Sequence, residues 1–391
     1  MAAETLHITQ NSSLPPAQPA YVLRGHSAQI HSVLFFRQNL RLLSGDADGW
    51  VVLWNLPVKR PVAVWRAHKS SILGLSNWGE DRIITHGRDN KLIVWRLCEG
   101  DESRFSTVLP IEDAVTERAK PVLLHSLPVN ALNFCSFTKC DHLRITNPAA
   151  ARNGAAQPDG ILTAVPGLQD GHVNVTALPS EERIATIVSP MDINTGMVMA
   201  LGLHYVGNDL LVLVGYENGY ACIWKQSHTA KQWQTSYSNK AHSQPILSLD
   251  VAPGLGYFYT SSADAVIARH PLVEGSADTR LVQTKHAGQQ SLTVRSDEKI
   301  FATAGWDGRA RVYSAKTMKE LAVLKWHKEG CYALAFANVD PIDVEDGATD
   351  GNGVVVKRDL TVSEQRTAKA RSTHWLAAGS KDGKISLWDI Y

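Results

Sequence analysis

The sequence predicts an all-β fold, a propeller of seven four-stranded blades whose ring is closed by an N-terminal strand pairing in the last blade. Three observations predict it. Short segments built on one grammar recur along the chain, histidines precede them at a fixed interval, and several of the eleven tryptophans in 391 residues close them. Internal repetition of this kind is the signature of a repeat architecture.

The grammar is clearest in Leu42–Trp54 (LLSGDADGWVVLW), Ile83–Trp95 (IITHGRDNKLIVW) and Leu376–Trp388 (LAAGSKDGKISLW). Each joins an apolar run, small residues, an aspartate and a Trp six positions later. The alternating, β-branched ends read as two strands around an Asp-Gly or Asp-Asn turn. Weaker copies follow. Phe301–Tyr313 keeps Asp307 with Tyr313 at the aromatic position, and Tyr257–His270 keeps Asp264 with His270 there. Leu211–Trp224 puts Asn218 for the aspartate, and Ile161–Thr176 keeps only Asp170-Gly171. His26 to Asp48, His68 to Asp89, His242 to Asp264 and His286 to Asp307 all span twenty-one or twenty-two residues. From His125 to Asp170 and from His327 to Asp382 the interval is stretched, each time across an insertion.

Residues 1–19 are polar and proline-rich and read as a disordered tail; residues 20–391 read as one propeller. Insertions lie near 100–120, 138–160 and 339–373, where the composition turns polar and suits solvated loops or a surface for a large partner. Without them the repeat is about 42 residues, inside the known propeller range of roughly 40–45. The short apolar run Tyr21-Val22-Leu23 has no blade of its own, and the chain stops at Trp388-Asp389-Ile390-Tyr391 with one strand missing. Pairing 20–24 with 385–390 removes both edges.

Arg24-Gly25-His26, Ser44-Gly45-Asp46-Ala47-Asp48-Gly49 and Trp54-Asn55 resemble a WD40 repeat. That resemblance implies a polar tetrad in each complete blade. The aspartate accepts from the histidine, and a Ser or Thr bridges the histidine to the Trp indole. It places His26, Ser44, Asp48 and Trp54 in blade one, His68, Thr85, Asp89 and Trp95 in blade two, and His286, Thr303 and Asp307 in blade six. Ala378 removes the hydroxyl from blade seven.

Composition narrows the function. Thirty-nine basic residues against 38 acidic leave a formal charge of +1, without the broad basic footprint of a nucleic-acid or anionic-membrane protein. Five cysteines form no paired zinc spacing and no disulfide framework. Residues 1–20 carry no apolar or arginine-rich leader pattern, so a reducing intracellular compartment is expected. No stretch approaches the length of a membrane-spanning helix. P-loop, GxGxxG, HExxH and GxSxG are missing, and a Ser-His-Asp set in every good blade argues for structure, since catalysis needs one site. No cofactor, metal, small-molecule substrate or enzymatic activity is expected.

Exposed aromatic and charged side chains are the better functional candidates. In the resembled family the residue before the turn aspartate lies on the channel-mouth face, which here selects Arg88, Trp306 and Lys381. Trp306 at a wet turn suggests an anchor for something. Trp50, after the first turn, and Trp326, before His327, join it, with packing between blades as the alternative for each. Within the family, Leu23–Leu56, Trp65-Arg66-Ala67-His68-Lys69 and Gly379–Ile390 resemble a fungal subgroup and its animal relatives. That implies a non-catalytic scaffold of the nucleus, the cytoplasm left open. Its partners would be protein subunits of the ASTRA chromatin-linked complex and the assembly factors of phosphatidylinositol-3-kinase-related kinases. The alternative is a ubiquitin-ligase adapter reading a short peptide with Arg88, Trp306 and Lys381.

Overall fold

Seven antiparallel four-stranded sheets follow one another around a ring in a computed structural model that describes residues 17–111, 117–131, 134–142, 160–190, 193–226, 232–273, 275, 279–339 and 360–390. Residues 1–16 of the expected tail 1–19, and parts of the three insertions, 112–116, 143–159 and 340–359, lie outside the described residues. The inner strands of blades one to seven are Ile30–Phe36, Ile72–Trp78, Thr138–Asp141, Val198–Val206, Ile246–Ala252, Gln289–Val294 and Cys331–Phe336. Second and third strands are buried on both faces between neighbouring blades, which is why they read as nearly continuous apolar runs. Ring closure is as expected: Tyr21–Leu23 pairs antiparallel with Ile385–Asp389, Tyr21 opposite Leu387 and Leu23 opposite Ile385.

The blade-two tetrad forms as expected. Trp95 Nε1–H donates to the Thr85 hydroxyl (2.9 Å), which donates to His68 Nε2 (2.7 Å), and His68 Nδ1–H donates to Asp89 (2.7 Å). Burial pushes the Asp89 carboxyl up, but His68 and the Lys69 amide bond it and hold it below the usual carboxylate range.

Blade one differs in one member. Trp54 donates to Ser44 (2.8 Å) and Ser44 to His26 Nε2 (2.7 Å), yet His26 Nδ1–H goes to Asp46 at 2.7 Å, in place of Asp48. Asp48 is exposed and contributes its backbone only, donating to Asp46 and accepting from Arg66. The neighbouring blade explains the exchange. Gly87 stands opposite Ile72 as Asp46 stands opposite Ile30, and a Cβ at Gly87 would lie 2.3 Å from His68 Nδ1. A side chain at this position points at the histidine, so the blade that carries a carboxylate there uses it.

The blade-six tetrad does not form. His286 Nδ1 stays 3.9 Å from Asp307, because the buried Arg311 guanidinium holds that carboxylate at 2.6 and 3.2 Å. Burial raises the Asp307 carboxyl, and the bonds from Arg311 outweigh it and hold it low. Thr303 is buried beside the Tyr313 hydroxyl instead. Two blades gain what the sequence appeared to deny them. In blade five His270 replaces the tryptophan: its Nε2–H donates to Thr260 (2.9 Å), Thr260 to His242 Nε2 (2.8 Å), and His242 to Asp264 (3.1 Å). In blade seven Ser386, opposite Ala378, supplies the missing hydroxyl, accepting from Trp388 Nε1 (2.8 Å) and donating to His327 Nε2 (2.9 Å). His125 takes no such seat; it bonds Glu181 at 2.7 Å.

Two insertions brace the ring. The one near 100–120 begins with a 3₁₀ turn, Glu99–Arg104, whose Glu102 is gripped by the buried Arg41 (2.9 Å) and Arg37 of blade one. It then buries Ile111 against Leu23, Trp54 and Trp375, with Leu109 packed beside it. The Ile111 amide donates to Gly25 (3.1 Å), where any Cβ would strike Leu109. A chain leaving blade two therefore crosses blade one and seals its seam with blade seven. The insertion near 339–373, expected as solvated linker, contains helix Val362–Ser372 with a Thr361–Glu364 capping box. Asn39 of blade one donates to the carbonyls of Asn338 (2.8 Å) and Arg371 (3.3 Å), fastening both ends of that loop.

Asp46→Ala leaves the buried His26 donor unpaired and is expected to cost on the order of 1–3 kcal/mol in a denaturant titration, while Asp48→Ala leaves the midpoint unchanged. Equal effects would reject the assignment. The buried imidazoles of His270 and His86 are pushed down to about 3 by desolvation, so both stay neutral in the fold. The unfolded chain binds their protons first, so stability present above pH ~6.5 falls as the solution is acidified towards pH 5. Asp250, raised to about 6 by burial, opposes this over the same window with one proton against two. His270→Gln keeps a donor for Thr260 and should flatten the pH dependence of unfolding.

Candidate protein-interaction face

The inner strands place one unusual residue each. In six blades the register slips at the second position of the inner strand, so that His31, Leu73, Met199, Leu247, Gln290 and Tyr332 have no partner across the ladder. A bulge re-aims its side chain. All six line one central cavity of about 650 Å³, with leucines 75, 201, 249 and 334 deeper inside. This is the propeller channel. Burial lowers the His31 pKa, leaving a neutral ring edge-on to Tyr332 at 6.1 Å between centroids.

Two large aromatics stand over this ring. Trp306, on the blade-six turn, is 48% exposed; its indole lies on Gly288 and donates to Gln290 at 2.8 Å. Phe134, at the entry to blade three, is 62% exposed, and the Arg88 guanidinium sits 4.4 Å above its ring. Each held aromatic presents its other face to solvent at little conformational cost on binding. The pair makes an aromatic, singly cationic rim over a well lined by leucines and by uncharged polar side chains such as Ser136, Ser248 and Gln290.

The structure thus brings Trp306 and Arg88 to the channel mouth. Lys381 is exposed on the blade-seven turn outside the cavity lining. Trp50 is not a surface anchor: it is 3% exposed, packed in the core shared by blades one and seven, with Arg118 over its ring at 5.0 Å. Trp326 is half-buried, edge-on to His327 and packed against the core between blades six and seven. Phe134 and the bulged residues were missed by sequence reasoning. Blade three has too little of the repeat to set its register, though the position after each buried inner-strand residue (Ile30, Ile72, Ile246, Cys331) was a usable signal.

Comparison with known proteins agrees with this architecture. The family model described as "WD domain, G-beta repeat" matches residues 17–55 and 368–389, the two stretches that meet at ring closure. The chain is 49% identical over 383 residues to ASTRA-associated protein 1 of Verticillium alfalfae, covering 95% of this chain and 93% of the relative. It is 45% identical to that of Aspergillus niger over the full length of both, and 33% identical to that of Schizosaccharomyces pombe, covering 95% of this chain and 99% of the relative.

Gln290→Ala removes the acceptor of the Trp306 indole. The Trp306 Nε1–H resonance, identified through Trp306→Phe, is expected to shift and to exchange faster with solvent while the melting temperature holds. An unmoved resonance would contradict the Trp306–Gln290 contact.

Proposed function

The chain belongs to the ASTRA-associated protein 1 family of WD40 propellers, and from that premise we propose that it is a non-catalytic scaffold subunit of the ASTRA complex. It works in the nucleus, linked to chromatin remodelling and to the assembly of phosphatidylinositol-3-kinase-related kinases. The family relationship and the relatives' name support the complex; the observation that carries the binding site is the exposed Trp306–Phe134 pair over the bulged ring. The site takes a protein segment rather than a reacting molecule. Its walls mix leucines with uncharged polar side chains, its rim is aromatic, and the Ser/Thr-His-Asp sets of the blades are spent on structure. An apolar side chain entering the well, with the aromatics closing around it, matches the way interface energy concentrates in a few desolvated anchors.

Trp306→Ala spares Asp307 and its bonds to Arg311, so folding survives. Loss of a hot-spot aromatic costs at least ~2 kcal/mol, about thirtyfold in affinity. Quantitative co-purification of the tagged protein with crosslinking mass spectrometry is expected to show that loss and to map crosslinks around the channel mouth. Undiminished recovery of every partner with Trp306→Ala would move the interaction elsewhere, and recovery dominated by ubiquitin-ligase subunits would replace the scaffold reading.

A further inference from the structure

A second surface lies on the perimeter, away from the channel. Between the outer strand of blade seven, Tyr21–Leu23, and that of blade one, Arg60–Arg66, runs a groove of about 880 Å³ floored by Trp54, Pro61 and Leu109. Arg24, Lys59 and Arg60 line it. Helix Val362–Ser372 adds Arg366 and Lys369, both exposed and close enough to bear on the Lys59 charge. Desolvation lowers the Lys59 pKa, and these two like charges lower it further. Lys59 also lies 5.5 Å from the Tyr21 ring centroid. Among the described residues none of the five cations forms an ion pair with a carboxylate; Glu364, on the same helix, is committed to the capping box.

Five cations from three separate segments, gathered where they repel one another, are held together by the braces that close the ring. Such an arrangement is relieved by an anionic ligand. We propose that this seam groove docks an acidic, extended segment of a partner protein, its carboxylates on Lys59, Arg60, Arg24 and the helix cations and its apolar side chains on the Trp54–Leu109 floor. A peptide fits better than a nucleic acid. The floor is Pro61, Leu109 and a nearly buried Trp54 rather than a row of stacking faces, and the whole chain carries a formal charge of only +1. The site is independent of the channel mouth, so Trp306→Ala leaves it intact.

The probe is a fluorescein-labelled twelve-residue peptide of alternating Glu and Leu, titrated with the full chain by fluorescence anisotropy, beside a single-stranded oligonucleotide of twelve residues. The expected result is binding that weakens as salt rises. The double variant Lys59→Glu/Lys369→Glu should lose about tenfold or more in affinity, and the control Lys319→Glu/Lys325→Glu on blade six should not. All proteins are first shown to share one melting temperature; if the seam variant melts lower, Lys59→Gln/Lys369→Gln takes its place. Equal affinity of seam variant and parent, equal loss in the control, no binding at low salt, or tighter binding of the oligonucleotide each overturns the proposal.

Discussion

Ring closure is the constraint on which the rest depends. A propeller blade buries its faces only against its neighbours, and the seven-membered circle has one joint that the chain does not close by continuity, between blades seven and one. Three unrelated devices converge there. The Tyr21–Leu23 strand completes the sheet, the crossing segment buries Ile111 with Leu109 beside it, and Asn39 fastens the ends of the blade-seven insertion. None would matter at an internal joint. Their coincidence around the apolar cluster shared by blades one and seven makes the seam a joint reinforced from three directions.

The buried polar chains do a different job. Each ties a turn to the strand beneath it through a buried hydroxyl and imidazole and a partly buried carboxylate, so an incomplete chain is costly. The variations show how far the requirement is met, since in blade seven His327 Nδ1 stays 3.5 Å from Asp382. Blade seven moves the hydroxyl across the strand pair to Ser386, and blade five makes a histidine serve as the tryptophan's donor, its other nitrogen accepting from Tyr237 at 2.9 Å. Blade six abandons the histidine for Arg311, which brings its own charge to Asp307. The chemistry is conserved in kind while the residues change.

That is why the sequence is legible in some places and mute in others. The fold was readable because Asp-turn-Trp spacing recurs with a fixed period. The choice between Asp46 and Asp48 was not, since Asp46 ends the strand and Asp48 sits in the turn two residues on, and spacing from His26 alone does not separate them. Only the geometry around Gly87 does. Arg311 reads as an ordinary strand residue until its side chain is seen beside Asp307. Leu109 and Ile111, isolated in a polar stretch, carry no period that would announce a brace. Trp50 and Trp306 both flank an Asp-Gly turn, the first just after it and the second opening it, and they are opposite in the structure. One faces the seam between blades and the other folds over Gly288 at the channel mouth.

The bulged ring shows where the fold leaves latitude. One position before it, Ile30, Ile72, Val198, Ile246, Gln289 and Cys331 are all buried and face their own ladder partners. A change there meets a neighbouring blade. The residues that follow have no cross-strand partner and look into the channel, and they are imidazole, thioether, amide, phenol and two leucines. Chemical variety beside such uniformity is what a surface freed from packing looks like. The proposed partner at this mouth would meet one side chain from each of six blades, two of them, His31 and Tyr332, in contact with each other. On the proposed reading, the surface at the mouth is set by residues that belong neither to the tetrads nor to the seam that hold the ring.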